Sequence, residues 1–400
     1  MAAAAQIEIS GREGVAEQFE LLCACCRPGS DGAAEEMIRR HVDWAGLLEL
    51  AARHRVLPAV CERVGNCFGA PPEARGMVRT RLADHQRRVL RFTAALAGIL
   101  EEFEKQRISL MPLKGPMLSQ MLYGDSAARE FGDLDLLILP HDLARARVAL
   151  DKLGYTPKIQ LSGRCEREYL RSGYELVFGS GAEKNLVELH WQVLPRFYSV
   201  PFQVETLFER SVEMDFEGWP VRVPGKEDLL LMLCVHAAKH EWSHLGMVRD
   251  IARLAGCDLH WDLIAADARR MGVMRIVGIS LFLARDLLGT KLPVAFPGFS
   301  HENTCDAFVS EFRRSLRARQ HSDVESLRYF VFMMRLREKW RDRVRFAYRL
   351  ASTPSLEEWD AVALPHRLFP LYRGVRAWRL VKRFARMFVQ PSLAKVSGVN

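Results

Sequence analysis

Two aspartates separated by a single residue, Asp133 and Asp135, stand in the run Phe131-Gly132-Asp133-Leu134-Asp135-Leu136-Leu137-Ile138-Leu139. The alternation of polar and apolar positions marks this run as a strand, so Asp133 and Asp135 share one face and Leu134, Leu136 and Ile138 the other. At roughly 3.3 Å of rise per residue the two carboxylates lie about 6–7 Å apart. That spacing lets them share divalent ions. A third carboxylate from a neighbouring strand would complete a site for two ions about 3.5–4 Å apart, one activating an attacking hydroxyl and the other neutralising a leaving pyrophosphate. Oxygen-rich, histidine-poor ligands favour Mg²⁺ or Mn²⁺ over Zn²⁺.

The flanking elements are placed to serve such a pair. Ile108–Leu113 reads as short and extended, Lys114-Gly115 as a turn, and Pro116 and Gly124 as the first residue and the stop of a two-turn helix, Met117–Tyr123. Strand, glycine turn and helix N-terminus together favour phosphate. Pro140 ends the aspartate strand, and a helix over Asp142–Leu153 closes at Gly154. Two further strand-like runs, Tyr174–Phe178 and Leu186–Trp191, flank a polar, glycine-containing segment and read as a hairpin. In the second run Leu186, Glu188 and His190 share one face, so a further carboxylate is presented from the sheet. Glu175 on the first run is the alternative to Glu188.

The rest of the chain reads as helix. Asp43 caps a segment with apolar Leu47, Leu48, Ala51 and Ala52, and Pro58 is expected to bend or stop it. Apolar positions continue at helical spacing from Val89 to Phe103. Helix returns at Leu229–Glu241, then through Leu254, then over Leu263–Leu288 with a break near Gly272. Beyond Pro293 and Pro297, residues 305–350 and 366–389 are amphipathic and arginine-rich. The expected division is an N-terminal helical section (1–105), an α/β core (106–225), a helical section packing on it (226–300) and a basic helical region (301–400). The fold class is α+β, predominantly helical, with a small mixed sheet of four or five strands.

Composition restricts the function classes. A 400-residue chain that is 49% hydrophobic, with 57 basic and 49 acidic residues, is not a disordered or collagen-like polymer. Residues 301–400 hold 20 basic and 10 acidic residues, which leaves the first three hundred near neutral. The net charge of +8 therefore belongs to one region and is no argument for a nucleic-acid substrate. Arg313, Arg314, Arg317, Arg335, Arg337, Arg341, Arg343 and Arg345 alternate there with apolar residues, as on solvated helix faces with packed stems. Nine cysteines without regular spacing read as reduced core residues. No basic and apolar leader opens the sequence and no 18-residue uncharged apolar run occurs, so a cytoplasmic protein without a membrane span is expected.

The stretch LKGPMLSQMLYGDSAAREFGDLDLLILP resembles the nucleotidyltransferases of the DNA polymerase beta-like superfamily, in particular an uncharacterised bacterial family of nucleotidyltransferase proteins. NLVELHW looks like its third-carboxylate strand and HAAKHEWSHLGMVRDIARL like the helical segment after the sheet. The resemblance implies a polymerase beta-like palm. It implies transfer of a nucleoside monophosphate from an NTP to an acceptor hydroxyl, with Mg²⁺ or Mn²⁺ and pyrophosphate release. Asp133, Asp135 and Glu188 would bind metal and carry catalysis. Lys114, Gly115, Arg129 and Gly132 would meet nucleotide and phosphate. Apart from the resemblance, His190 shares the face of Glu188 and so could touch substrate or metal, or be a hydrogen-bonded sheet histidine, and His236 and His240 read as helix-packing or substrate-pocket residues rather than ligands. The turn departs from the superfamily pattern, because Pro116 removes a backbone N–H that Lys114 can replace with a charged contact.

Two other function classes compete. The altered turn suits a non-catalytic nucleotide- or partner-binding module of the same fold. His240-Glu241-Trp242-Ser243-His244 spells H-E-x-x-H, which on a helix would align His240 and His244 as zinc ligands beside a general base, Glu241, with His236 one turn earlier. Arg249-Asp250 reads as an internal ion pair, and Arg129 could pair with Glu130.

Overall fold

The computed structural model describes residues 16–29, 32–40, 42–159, 163–180, 186–292, 309–313, 326–354, 358, 362, 364 and 366–389. Five helices come first: α1 (16–26), α2 (Gly32–Ile38), α3 (Trp44–Arg53), α4 (Leu57–Asn66) and the long α5 (Pro72–Lys105). Asp43 caps α3 by accepting the Gly46 amide at 3.0 Å, which satisfies an N–H that has no partner within the helix. Pro58 does not end that helix. It occupies the first turn of α4, where its missing N–H costs nothing, while α3 has already stopped at Arg53.

The sheet follows. Strand β1 (Leu110–Pro112), helix α6 (Gly115–Tyr123), strand β2 (Asp133–Ile138), helix α7 (Leu143–Lys152), strand β3 (Tyr155–Pro157), helix α8 (Gly163–Ser172) and strands β4 (Glu175–Ser180) and β5 (Leu186–His190) give a five-stranded sheet ordered β1-β2-β5-β4-β3. It is mixed, because β2 and β5 run parallel while the other pairs are antiparallel. The expected β4–β5 hairpin forms, and β5 inserts next to β2 with Asp135 opposite Glu188 and Leu137 opposite His190.

A two-stranded ribbon, β6 (Val212–Phe216) and β7 (Trp219–Val223), comes after α9 (Val204–Glu209). Its alternating residues around Glu217-Gly218, both at positive φ (53° and 85°), are the mark of a two-residue hairpin that sequence reasoning passed over. Helices α10 (Lys226–Lys239), α11 (Leu245–Ala255), α12 (Trp261–Met271) and α13 (Met274–Leu288) follow, with the break near Gly272 confirmed by its left-handed φ of 70°. Further helices span Leu327–Leu336, Trp340–Ser352 and Tyr372–Val389.

The two faces of the sheet have different coverings. Leu134, Leu136 and Ile138 of β2, with Val187 and Leu189 of β5, pack on Phe92, Leu96, Ile99 and Phe103 of α5. On the other face Leu137 joins Met111, Leu113, Leu207, Phe208 and Met232, so α9 and α10 cover part of it and leave the acidic residues facing a cavity. Helices α1–α4 share one apolar cluster with α10–α13. Cys23, Cys25, Cys26, Cys61, Cys67 and Cys234 are buried, whereas Cys257 is exposed; Cys305 lies outside the described residues. Among the expected solvated arginines, Arg337 is instead buried and donates to the Tyr198 carbonyl; Arg314 and Arg317 lie outside the described residues. No helix among the described residues is long and apolar enough to cross a membrane.

Candidate active site

A cavity of about 290 Å³ opens over the acidic face of the sheet, walled by α10, α11, the α3–α4 turn and the segment from Arg129 to Phe131. Period-two geometry puts Asp133, Asp135, Glu188, His190 and Glu175 into it, as the β2–β5 and β5–β4 registers require. Asp135 and His190 are 2% and 5% exposed, and Glu188 is more open. Ligand atoms of Asp135, Glu188 and His190 all fall within 4.8 Å of one another.

The charges of this floor are strongly coupled. Burial, then the Asp135 charge, pushes the Asp133 carboxyl up to about 6. Asp135 is held well below the usual carboxylate range: burial opposes its charge, but the Lys114 ammonium, with Nζ 2.6 Å from Oδ1, and the His190 ring outweigh it. Burial likewise opposes charge on His190, yet Asp135 and Glu188 lift it to about 9. Lys114 is itself raised, because Asp135 overcomes the cost of burying it.

Unpaired buried atoms remain. Asp135 Oδ2, both His190 ring nitrogens and Arg129 Nη1 have no hydrogen-bond partner. A buried polar atom of this kind costs about 1–3 kcal/mol unless something meets it. The residues therefore fit a divalent cation: ligand atoms of two carboxylates and an imidazole lie within 4.8 Å of one another, and Asp135 Oδ2 and the His190 ring nitrogens, which would release their extra proton to a cation, are buried without a partner.

The expected phosphate contacts divide. Gly115 lies at φ 69° at the start of α6, where a Cβ would come within 3.3 Å of Leu134 Cδ2, so glycine is required. Gly132 is exposed and away from the cavity lining. Arg129 pairs not with Glu130 but with Asp250, through Nε at 2.8 and 2.9 Å and Nη2 at 2.6 Å. Glu130 instead accepts the Leu57 amide at 3.0 Å. Arg249 does not pair with its neighbour Asp250; it donates to the Ala128 carbonyl at 2.9 Å and lies over the Tyr123 ring.

His236 and His240 line the cavity with ring centroids 4.6 Å apart, and burial first holds both below the usual histidine value, His240 at about 3. The H-E-x-x-H spacing does not align ligands, because no helix runs through it. His240 caps the end of α10, Glu241 and Trp242 have φ of 52° and 47°, and His244 is the N-cap of α11 with Nδ1 accepting the Met247 amide.

Sequence reasoning missed two cations. Arg55, in the α3–α4 turn at φ 53°, and Lys239, with Nζ 5.2 Å from the Tyr174 ring centroid, line the cavity without a carboxylate partner among the described residues. The HAAKHEW run contained Lys239; only tertiary structure brings in Arg55.

Residues 40–289 match the model of a family described as an uncharacterised nucleotidyltransferase. The chain belongs to that family. The matched span includes every cavity residue named above, and the observed small mixed sheet with predominantly helical surroundings is the expected fold class. No curated protein matches the chain. A similar solved structure is the solution structure of the antibiotic-resistance factor ANT(2'')-Ia, at 13% identity and a TM-score of 0.30, covering 49% of this chain and 92% of that one.

Proposed function

We propose that this nucleotidyltransferase moves a nucleoside monophosphate from an NTP to an acceptor hydroxyl, with pyrophosphate as the second product, in an Mg²⁺- or Mn²⁺-dependent reaction. The observation that carries the reading is the convergence of Asp133, Asp135 and Glu188 on one face of paired strands beneath a cavity. These carboxylates would hold the metal, which when bound supplies charge neutralisation on the phosphates and a more acidic acceptor hydroxyl.

The chain's own groups divide the remaining work. Arg55, Lys239 and the free Nη1 of Arg129 meet the triphosphate, and Gly115 brings backbone close to it. The acceptor oxygen forms a bond to the α-phosphorus as the bond to the β-phosphate oxygen breaks. The acceptor proton leaves to a carboxylate of the cluster and the electron pair departs with pyrophosphate. Positioning and charge stabilisation supply most of the rate in such transfers. The core that does this is residues 106–225, with Arg55 and helices α10 and α11 closing the cavity.

One observation favours a second reading, a nucleotide- or partner-binding module: Lys114 already neutralises Asp135. Incubation with each labelled NTP, metal and cell extract separates the two. Label transfer with pyrophosphate release, lost in Asp133→Asn/Asp135→Asn, supports the transferase; NTP binding without turnover supports the module. Absence of metal-dependent NTP binding sinks both.

A further inference from the structure

Within the transferase reading, and resting on it only for the location of the metal, the geometry points to His190 as a direct metal ligand through Nε2. Its ring would be oriented by Glu175 and Tyr174, making the site a mixed oxygen and nitrogen set that prefers Mn²⁺ to Mg²⁺.

His190 is buried among three carboxylates and hydrogen-bonds to none of them. Nε2 is 3.4 Å from Asp135 Oδ1 and 3.7 Å from Glu188 Oε2, and Nδ1 is 3.5 Å from Glu175 Oε2. Each separation exceeds the 2.7–3.2 Å or so of an ordinary N–H···O bond. The Nε2 separation from Asp135 suits atoms arranged around a common centre, since ligands about 2.1 Å from one cation lie about 3–3.4 Å from each other, and Glu188 Oε2 stands just beyond that range on the same nitrogen. Asp135 Oδ2, which Lys114 does not reach, is buried and without a partner in the same place.

The surroundings supply what a metal-bound imidazole needs. A ligating histidine typically turns its other nitrogen toward a carboxylate, which fixes the ring and raises its basicity. Here Glu175 is placed for that part, with Oε2 3.5 Å from Nδ1: it is directly opposite His190 in the β4–β5 register, and the Tyr174 hydroxyl donates to its other oxygen, Oε1. Glu175 thus acts through His190, and Glu188 remains the third carboxylate. Replacing one oxygen by imidazole nitrogen moves preference from Mg²⁺, which favours all-oxygen surroundings, toward Mn²⁺ and later first-row ions.

Pulsed electron paramagnetic resonance of Mn²⁺ on the full chain tests this, with and without an equimolar mixture of the four α,β-methylene nucleoside triphosphates. The expected result is ¹⁴N modulation from a directly bound histidine, lost in His190→Gln and retained in His236→Gln/His240→Gln. The double variant keeps the test decisive should His190→Gln not fold. Glu175→Gln should retain the nitrogen signal while weakening Mn²⁺ binding by about 10–100-fold. Bound Mn²⁺ with ³¹P coupling but no ¹⁴N coupling overturns the assignment and leaves the transferase reading standing. ¹⁴N coupling without ³¹P coupling supports the ligand and removes the nucleotide. Loss of ¹⁴N coupling in the double variant, or failure of Mn²⁺ to bind, overturns the assignment.

Discussion

Arg129 holds Asp250 by its Nε and Nη2 edge, with the Tyr123 hydroxyl donating to the same carboxylate at 2.9 Å. The pair is 121 residues apart in sequence and nearly buried, with side-chain exposures of 14% and 6%. It joins the segment before β2 to α11, so the carboxylate strand is fixed to the helical wall of the cavity. Breaking a buried pair from one side leaves an uncompensated charge, so Asp250→Ala should lose about 3–5 kcal/mol of stability. Arg129→Met/Asp250→Leu should lose much less. Urea unfolding of the three proteins checks this; equal losses would mean packing, not charge, governs the joint.

Lys114 is the second cation with a prior partner. Its contact with Asp135 permits two roles, a phosphate ligand that the carboxylate positions or an internal substitute for metal. If the first holds, Lys114→Met should lower turnover by about 10²–10³-fold, the usual effect of removing one preorganised donor, without weakening Mn²⁺ binding. Tighter Mn²⁺ binding with unchanged turnover would assign the substitute role. Steady-state kinetics together with Mn²⁺ titration distinguish them.

What could be read from residues alone was local. Asp133 and Asp135, Glu188 and His190 were assigned to shared faces because a period of two is written directly into β2 and β5. The parallel pairing that brings Asp135 opposite Glu188 was not, because hairpin signals and strand alternation carry no information about which strand inserts where. Arg129–Asp250 and the turn that presents Arg55 depend on contacts between distant segments: the Gly246 amide donates to the His54 carbonyl, and the Leu57 amide to Glu130. The H-E-x-x-H spacing assumed a helix, and the left-handed residues Glu241 and Trp242 break it.

The cavity histidines give a pH signature in the metal-free protein. Burial first lowers His236, His240 and His244, and nearby cations add to it in each case. In the unfolded chain each titrates at about 6.5, so below that pH the unfolded state binds the extra proton and stability falls as pH drops toward the folded values. For His240, held at about 3, the loss is about 1.4 kcal/mol by pH 5.5. His190, raised to about 9, has the opposite sign: its contribution is present below its unfolded value and is lost as pH rises through about 9. Urea midpoints from pH 5.5 to 9.5 should therefore pass through a maximum, and His240→Gln should flatten the acid side. An unchanged acid side would show that His240 is solvated.

Two glycines resembling phosphate-loop residues should respond differently to a single methyl group. Gly115 starts α6 in left-handed geometry, and its Cβ would meet Leu134 Cδ2 at 3.3 Å and the Asp133 carbonyl oxygen at 3.5 Å. Gly115→Ala therefore costs about 1–2 kcal/mol in backbone conformation alone. It also pushes against the strand that carries both aspartates, so turnover should fall with stability. Gly132 has no positive φ, a methyl group there would meet nothing within 4 Å, and the residue is exposed. Gly132→Ala should leave turnover intact and stability unchanged or raised by up to about 1 kcal/mol, because alanine restricts the unfolded chain. Thermal unfolding and NTP turnover measured side by side check both. A fall in Gly132→Ala turnover at unchanged stability would place the bound nucleotide over that residue and extend the site beyond the cavity wall.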